Sequence, residues 1–163
     1  MNLAYLLQTA QSLAQPSAAA AAEFSTARDS LAAELNQQMS ARPDLDKMIG
    51  PDNLAMMHDN SRNFGRFMDS MFHAYEPEVL AQTALWVFRA YRAHGFETSY
   101  WPANLDTFVE IARVRLSETA FAQVYPFFHW LIVNIPSFVQ LSEAQRDEPL
   151  PAEPRHAKAE PAS

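Results

Sequence analysis

QVYPFFHWLIVNIPSFVQL, residues Gln123 to Leu141, is apolar on nearly every side of a helix, yet it carries His129, Asn134 and the prolines Pro126 and Pro136. A helix that is hydrophobic all round has to be covered by other elements, by a partner chain or by lipid. The slightly longer run from Ala120 has the length of a membrane span. Gln123, His129, Asn134, Ser137 and Gln140 interrupt it, and the two prolines break its regularity, so it reads as a buried helix rather than a spanning one.

Working outward, the chain of 163 residues is long enough for one domain with its own core, and 48% of its residues are hydrophobic and 12% aromatic. The fold this implies is all-α: a single compact domain of five to six helices, globin-like or an orthogonal bundle, with a disordered C-terminal tail. With three glycines and no alternating β-branched runs, no strand is expected. A short helix is expected within 1–16, where Leu3, Leu6, Leu7 and Leu13 share a face. The helical domain spans 17–142. It begins at Ser17 with an alanine-rich helix that runs to about Ser40, and Arg42-Pro43 stops it.

A long helix follows from Leu54 to about Tyr75, with Leu54, Met57, Ser61, Phe64, Met68, Met71 and Tyr75 at alternating steps of three and four. The next runs from Pro77 to His94 and stops at Gly95. SYWPAN, residues 99–104, reads as an aromatic loop, Leu105 to Leu116 as a helix, and Ser117 as the N-cap of the last one. Residues 143–163 are proline-rich and poor in large apolar side chains, which predicts a disordered tether.

Composition excludes several functions. Cysteine is absent, so thiolate metal sites, disulfides and cysteine nucleophiles are ruled out; this fits a cytoplasmic protein, as does the missing basic n-region of a secretory signal. A net charge of −7 with scattered arginines offers no stripe for phosphates, so nucleic acid is not an expected partner. No Glu-x-x-His occurs on the expected helices, the one instance, Glu153 to His156, lying in the proline-rich tail, and there is no glycine-rich phosphate loop or nucleophile elbow.

The histidines are the remaining candidates. His129, flanked by Tyr125, Phe128 and Trp130, has the apolar aromatic surroundings of a haem or other tetrapyrrole ligand; the alternative is a core histidine bonded to a tyrosine or to Asn134. His73 and His94 end their helices, where a cationic ring suits the dipole. His58 with Asp59 is the only candidate catalytic pair, but adjacent helical residues point about 100° apart. His156 lies in the tail. The face bearing Met57, Phe64, Met68 and Met71 suits an irregular core or adaptable pocket, or, if uncovered, a dimer interface.

The run from Arg28 to Leu116, containing RPDLDKMIG, NLAMMHDNSRNFGRFMDSMF and EPEVLAQTALWVFRAYRAHGF, resembles helical sensor or accessory domains of bacterial signalling proteins, of the globin-like or cobalamin-module-associated kind. Such domains often carry D-x-x-x-H on the long helix; here Asn60 and Phe64 occupy those positions. The resemblance implies a non-enzymatic sensor or adaptor, homodimeric and bound to a protein partner, with no catalytic residue to carry over. The alternative is a tetrapyrrole sensor using His129.

Overall fold

The computed structural model describes residues 2–154, and among these the chain is all-α. Eight helices follow one another: α1 (Leu3–Ala10), α2 (Ala18–Ser40), α3 (Leu45–Ile49), α4 (Leu54–His73), α5 (Pro77–Ala93), α6 (Tyr100–Arg115), α7 (Glu118–Val133) and α8 (Ile135–Ala144). None is long and apolar enough to cross a membrane.

Local chemistry sets the helix ends. Ser17 and Ser117 cap α2 and α7, accepting from the backbone N–H groups of Ala20 and Ala120 at 3.1 and 3.2 Å. Ser117 also donates its N–H and hydroxyl to the Glu23 carboxylate at 2.7 and 2.8 Å, and the Ser17 N–H donates to Gln123 Oε1 at 2.7 Å. Chain numbers rise along α2 as they fall along α7, so these contacts lay the two helices antiparallel. Gly50 and Gly95 take positive φ angles of 78° and 99°, and a Cβ on Gly50 would lie 3.0 Å from the Gly95 carbonyl. At that corner Asn53 Nδ2 donates to the carbonyls of Ile49 and His94, both at 2.7 Å.

Two sequence expectations are corrected. SYWPAN is not a loop: α6 starts at Tyr100, and Pro102 stands in its first turn, where a missing N–H leaves no hydrogen bond unmade. The last helix is two. Asn134 closes α7, its Nδ2 donating to the Trp130 carbonyl at 2.8 Å, and Pro136 stands in the first turn of α8. Pro126 stays inside α7 on the exposed side, where water can satisfy the carbonyl it leaves free.

The core is aromatic. Phe128 of α7 lies between Phe24 of α2, Phe64 and Phe72 of α4 and Phe108 of α6, with ring centroids 5.0–6.4 Å away. A second cluster joins Phe88 of α5, Trp101 of α6 and Phe138 of α8, Phe88 stacking on Trp101 at 4.6 Å. α2 packs on α4, α6 and α7, while α5 packs on α1 and α8; α4 and α5, although consecutive, are not closely packed.

Beyond α8 the chain forms no regular element up to residue 154, but it lies against α5. The Arg89 guanidinium donates to the carbonyls of Gln145, Glu148 and Pro149, and Trp86 Nε1 to that of Pro151 at 2.8 Å. The rest of the expected tether, with His156, lies outside the described residues.

Removing the Phe128 ring should cost about 3–5 kcal/mol, the range for burying a cavity of that size. His129→Ala, one residue on but exposed, should stay within about 0.5 kcal/mol of wild type. Urea denaturation of both variants measures this, and equal losses would contradict the packing.

Candidate binding groove

Where α4 and α5 part, an apolar groove opens. Phe64, Phe67 and Met68 wall it from α4, Leu80, Ala84 and Val87 from α5, and Leu105 and Leu131 from α6 and α7. It holds a cavity of about 80 Å³. Glu153, from the segment after α8, lines it too.

Of the polar residues lining the groove, Asn60, Thr83, Tyr91 and Trp101 are buried and Asn63 and Glu153 half-buried. Asn60 of α4 and Asn104 of α6 donate to the hydroxyl of Tyr100, at 3.3 and 3.1 Å. Desolvation holds the Tyr100 phenol well above the ordinary tyrosine value, against the opposing pull of the Asn60 bond. Tyr91 is raised in the same direction by burial first, then by the negative charges of Asp59 and Glu153. Thr83 Oγ1 and Trp101 Nε1, both on groove-lining residues, are buried without a hydrogen-bond partner among the described residues. Buried polar side-chain atoms are satisfied in the large majority of cases, so two such atoms on residues lining one cavity make this groove the candidate site.

The residues singled out from sequence are dispersed. His129 is exposed rather than buried, which corrects the reading of α7 as covered on every side. Its Nδ1 lies 3.4 Å from the Tyr125 hydroxyl, beside a shallow surface concavity shared with Tyr5, Pro126 and Val133. Phe128 points into the core, and Trp130 donates its Nε1–H to Thr9 Oγ1 at 2.9 Å, tying α7 to α1. Tyr125 and His129 share the exposed side of α7, His129 and Trp130 border the same concavity, and Phe128 points away into the core, so the four do not line one pocket. Met57, Met68 and Met71 are buried within the chain, which leaves no uncovered methionine face for a dimer; Phe64 is half-buried at the groove. His58 Nε2 meets Ser40 Oγ at 3.1 Å while Asp59 pairs with Arg62, so this pair forms no site. His94 Nδ1 bonds the Ala90 carbonyl at 2.8 Å.

The sequence reading missed one polar cluster. Ser25 of α2 donates to Asp69 Oδ1 of α4, and its oxygen lies 2.8 Å from His73 Nε2; Arg28 donates to Asp69 Oδ2 at 2.5 Å. Serine, histidine and aspartate here do not form a nucleophilic relay. The carboxylate approaches the same Nε2 that faces the serine, at 3.3 Å, instead of Nδ1 on the far side of the ring. The cluster locks α2 to α4. Its signal was available as the i,i+4 pair Asp69 and His73, but the Ser25 and Arg28 partners come from a helix more than forty residues away. Among the described residues no three His, Asp or Glu side chains are grouped to hold a metal ion.

Comparison of the chain with protein-family models, with curated proteins and with solved structures found no match.

Arg28→Ala leaves Asp69 without its cation and should destabilise the fold by about 2 kcal/mol, the scale of a hydrogen bond to a charged group; thermal melting reads it, and an unchanged midpoint would refute the lock. Burial likewise raises Tyr75 to about 12, its hydroxyl donating to the Ala10 carbonyl at 2.6 Å. Because these phenols hold their protons more tightly folded than unfolded, their contribution is fully present below about pH 10, the ordinary tyrosine value, and is lost as pH rises beyond it. The tyrosinate absorbance of Tyr75, Tyr91 and Tyr100 should therefore develop together with unfolding. Full ionisation near pH 10 with the fold intact would contradict it.

Proposed function

We propose that the chain is a non-enzymatic helical sensor or adaptor domain whose ligand is a small uncharged apolar molecule held between α4, α5 and α6. The observation that carries this reading is the apolar groove with Thr83 Oγ1 and Trp101 Nε1 buried and unpartnered beside it. Its cavity of about 80 Å³ amounts to several water-sized spheres of roughly 10–15 Å³ each, enough for one ring or a short chain. No lysine or arginine lines the groove, whereas Glu153 does, so an anion would meet repulsion without compensation.

Asn60 and Phe64, at the positions where the resembled sensor domains carry their D-x-x-x-H, both line this groove. Occupancy would press on α4 and α5, which follow one another without packing closely, and helices shifted in this way repack between discrete arrangements. A tetrapyrrole has less support: the groove is small and no histidine lines it, and His129 lies on the exposed side of α7.

The three tryptophans provide separate reporters, Trp101 at the groove, Trp130 against α1 and Trp86 under the C-terminal segment. In an amide NMR titration with benzyl alcohol, a neutral single-ring probe, the Trp101 indole N–H should shift and saturate while that of Trp130 stays in place. Ala84→Phe, which fills the groove from α5, should abolish the shift in a protein that still melts cooperatively. A Trp101 signal unmoved at saturating probe would overturn the reading.

A further inference from the structure

We infer that residues 145–154 form a strap that gates the groove, so that ligand entry and strap release are one event; the inference rests on the groove being a ligand site. α5 links the two. One side of this helix supplies Leu80, Ala84 and Val87 to the groove, and the neighbouring side supplies Gln82, Trp86 and Arg89 to the strap.

The fastening is specific. One Arg89 nitrogen lies within hydrogen-bond distance of three strap carbonyls, of Gln145, Glu148 and Pro149, at 3.2, 3.3 and 3.4 Å, and shares its two hydrogens among them. Trp86 Nε1 donates to the Pro151 carbonyl at 2.8 Å, and Arg92 anchors the root through Ser142 Oγ at 2.7 Å and Glu143 at 2.9 Å. From Pro151 the chain passes over α5, and two residues later Glu153 lies at the groove, near enough for its charge to act on Tyr91.

The physical character of this segment suits a gate. Pro149, Pro151 and Pro154 keep it extended and prevent a helix, and it buries little apolar surface of its own. Its hold on α5 is a handful of hydrogen bonds, partly exposed, which places it among the first parts of a fold to open. The root differs from the tip. Arg92 with Ser142 and Glu143 belongs to the α5–α8 contact, whereas Arg89 and Trp86 hold only the strap, so they can let go while α8 stays seated. A ligand passing the mouth must displace Glu153, and by linkage anything that weakens the strap's fastening eases entry.

The benzyl alcohol titration is repeated on the full chain and on Arg89→Ala, following the Trp86 and Trp101 indole signals, the line shapes and hydrogen exchange over residues 145–154. Trp101 should shift in both proteins. In wild type the Trp86 N–H should shift with it and exchange faster as its bond to Pro151 opens, and Arg89→Ala should bind and release the probe about tenfold faster, since each lost hydrogen bond contributes about a factor of ten to docking at most. Trp86→Phe, which keeps the ring but removes the donor, should speed exchange in the same direction. A Trp101 response with Trp86 unmoved and unchanged kinetics in Arg89→Ala would overturn the gate and leave the groove standing. Slower binding in Arg89→Ala would overturn it as well, since the strap would then be part of the binding surface. Silence at Trp101 would remove both the groove and the gate.

Discussion

Phe128 occupies the point where α2, α4, α6 and α7 meet, and its ring touches a phenylalanine from each of the other three. Aromatic rings carry more buried area than any aliphatic side chain and prefer tilted or edge-on neighbours, so one ring surrounded by four fixes distances and crossing directions together. Most of those contacts are steeply inclined, as between Phe72 and Phe128 at 84°. The polar ties between α2 and its neighbours, Ser17 with Gln123, Glu23 with Ser117 and Asp69 with Arg28, lie around this centre and set register rather than supply the bulk of the burial.

A core organised around α2 and α7 has a consequence for α5. That helix follows α4 after only a short connection, yet its partners are α1 and α8, and its aromatic contact with the rest runs through Phe88, Trp101 and Phe138. The seam between the two clusters is where side chains do not fully interdigitate, and it becomes the groove. Protein interiors are otherwise packed to the density of organic crystals, so an apolar gap lined by two residues with unsatisfied buried polar atoms is a departure from ordinary packing.

Much of the architecture was legible in the chain. The alternation of three and four from Leu54 onward produced α4 with its start at Leu54, and Ser17, Ser117, Pro77 and Gly95 mark helix ends for local reasons of capping and backbone freedom. Proline misled twice, because its effect depends on position: Pro102 sits harmlessly in a first turn, while Pro136 together with Asn134 divides what reads as one apolar helix. The groove was legible only in part. Met68 and Phe64 stood out by spacing, but Thr83 and Trp101 carry no sequence signal, since being unpartnered is a property of their surroundings and not of their residue type.

The sequence by itself determined that the chain is helical, that its core is aromatic and where most helices begin, because periodicity, capping and proline geometry act over three or four residues. Only the tertiary structure decided which side of α7 is inside. His129 and Phe128 are neighbours in sequence and equally placed in an apolar run, yet one faces solvent and the other is the centre of the core. That outcome depends on the direction from which α2, α4 and α6 approach α7, and those directions are set by contacts between residues far apart in the chain.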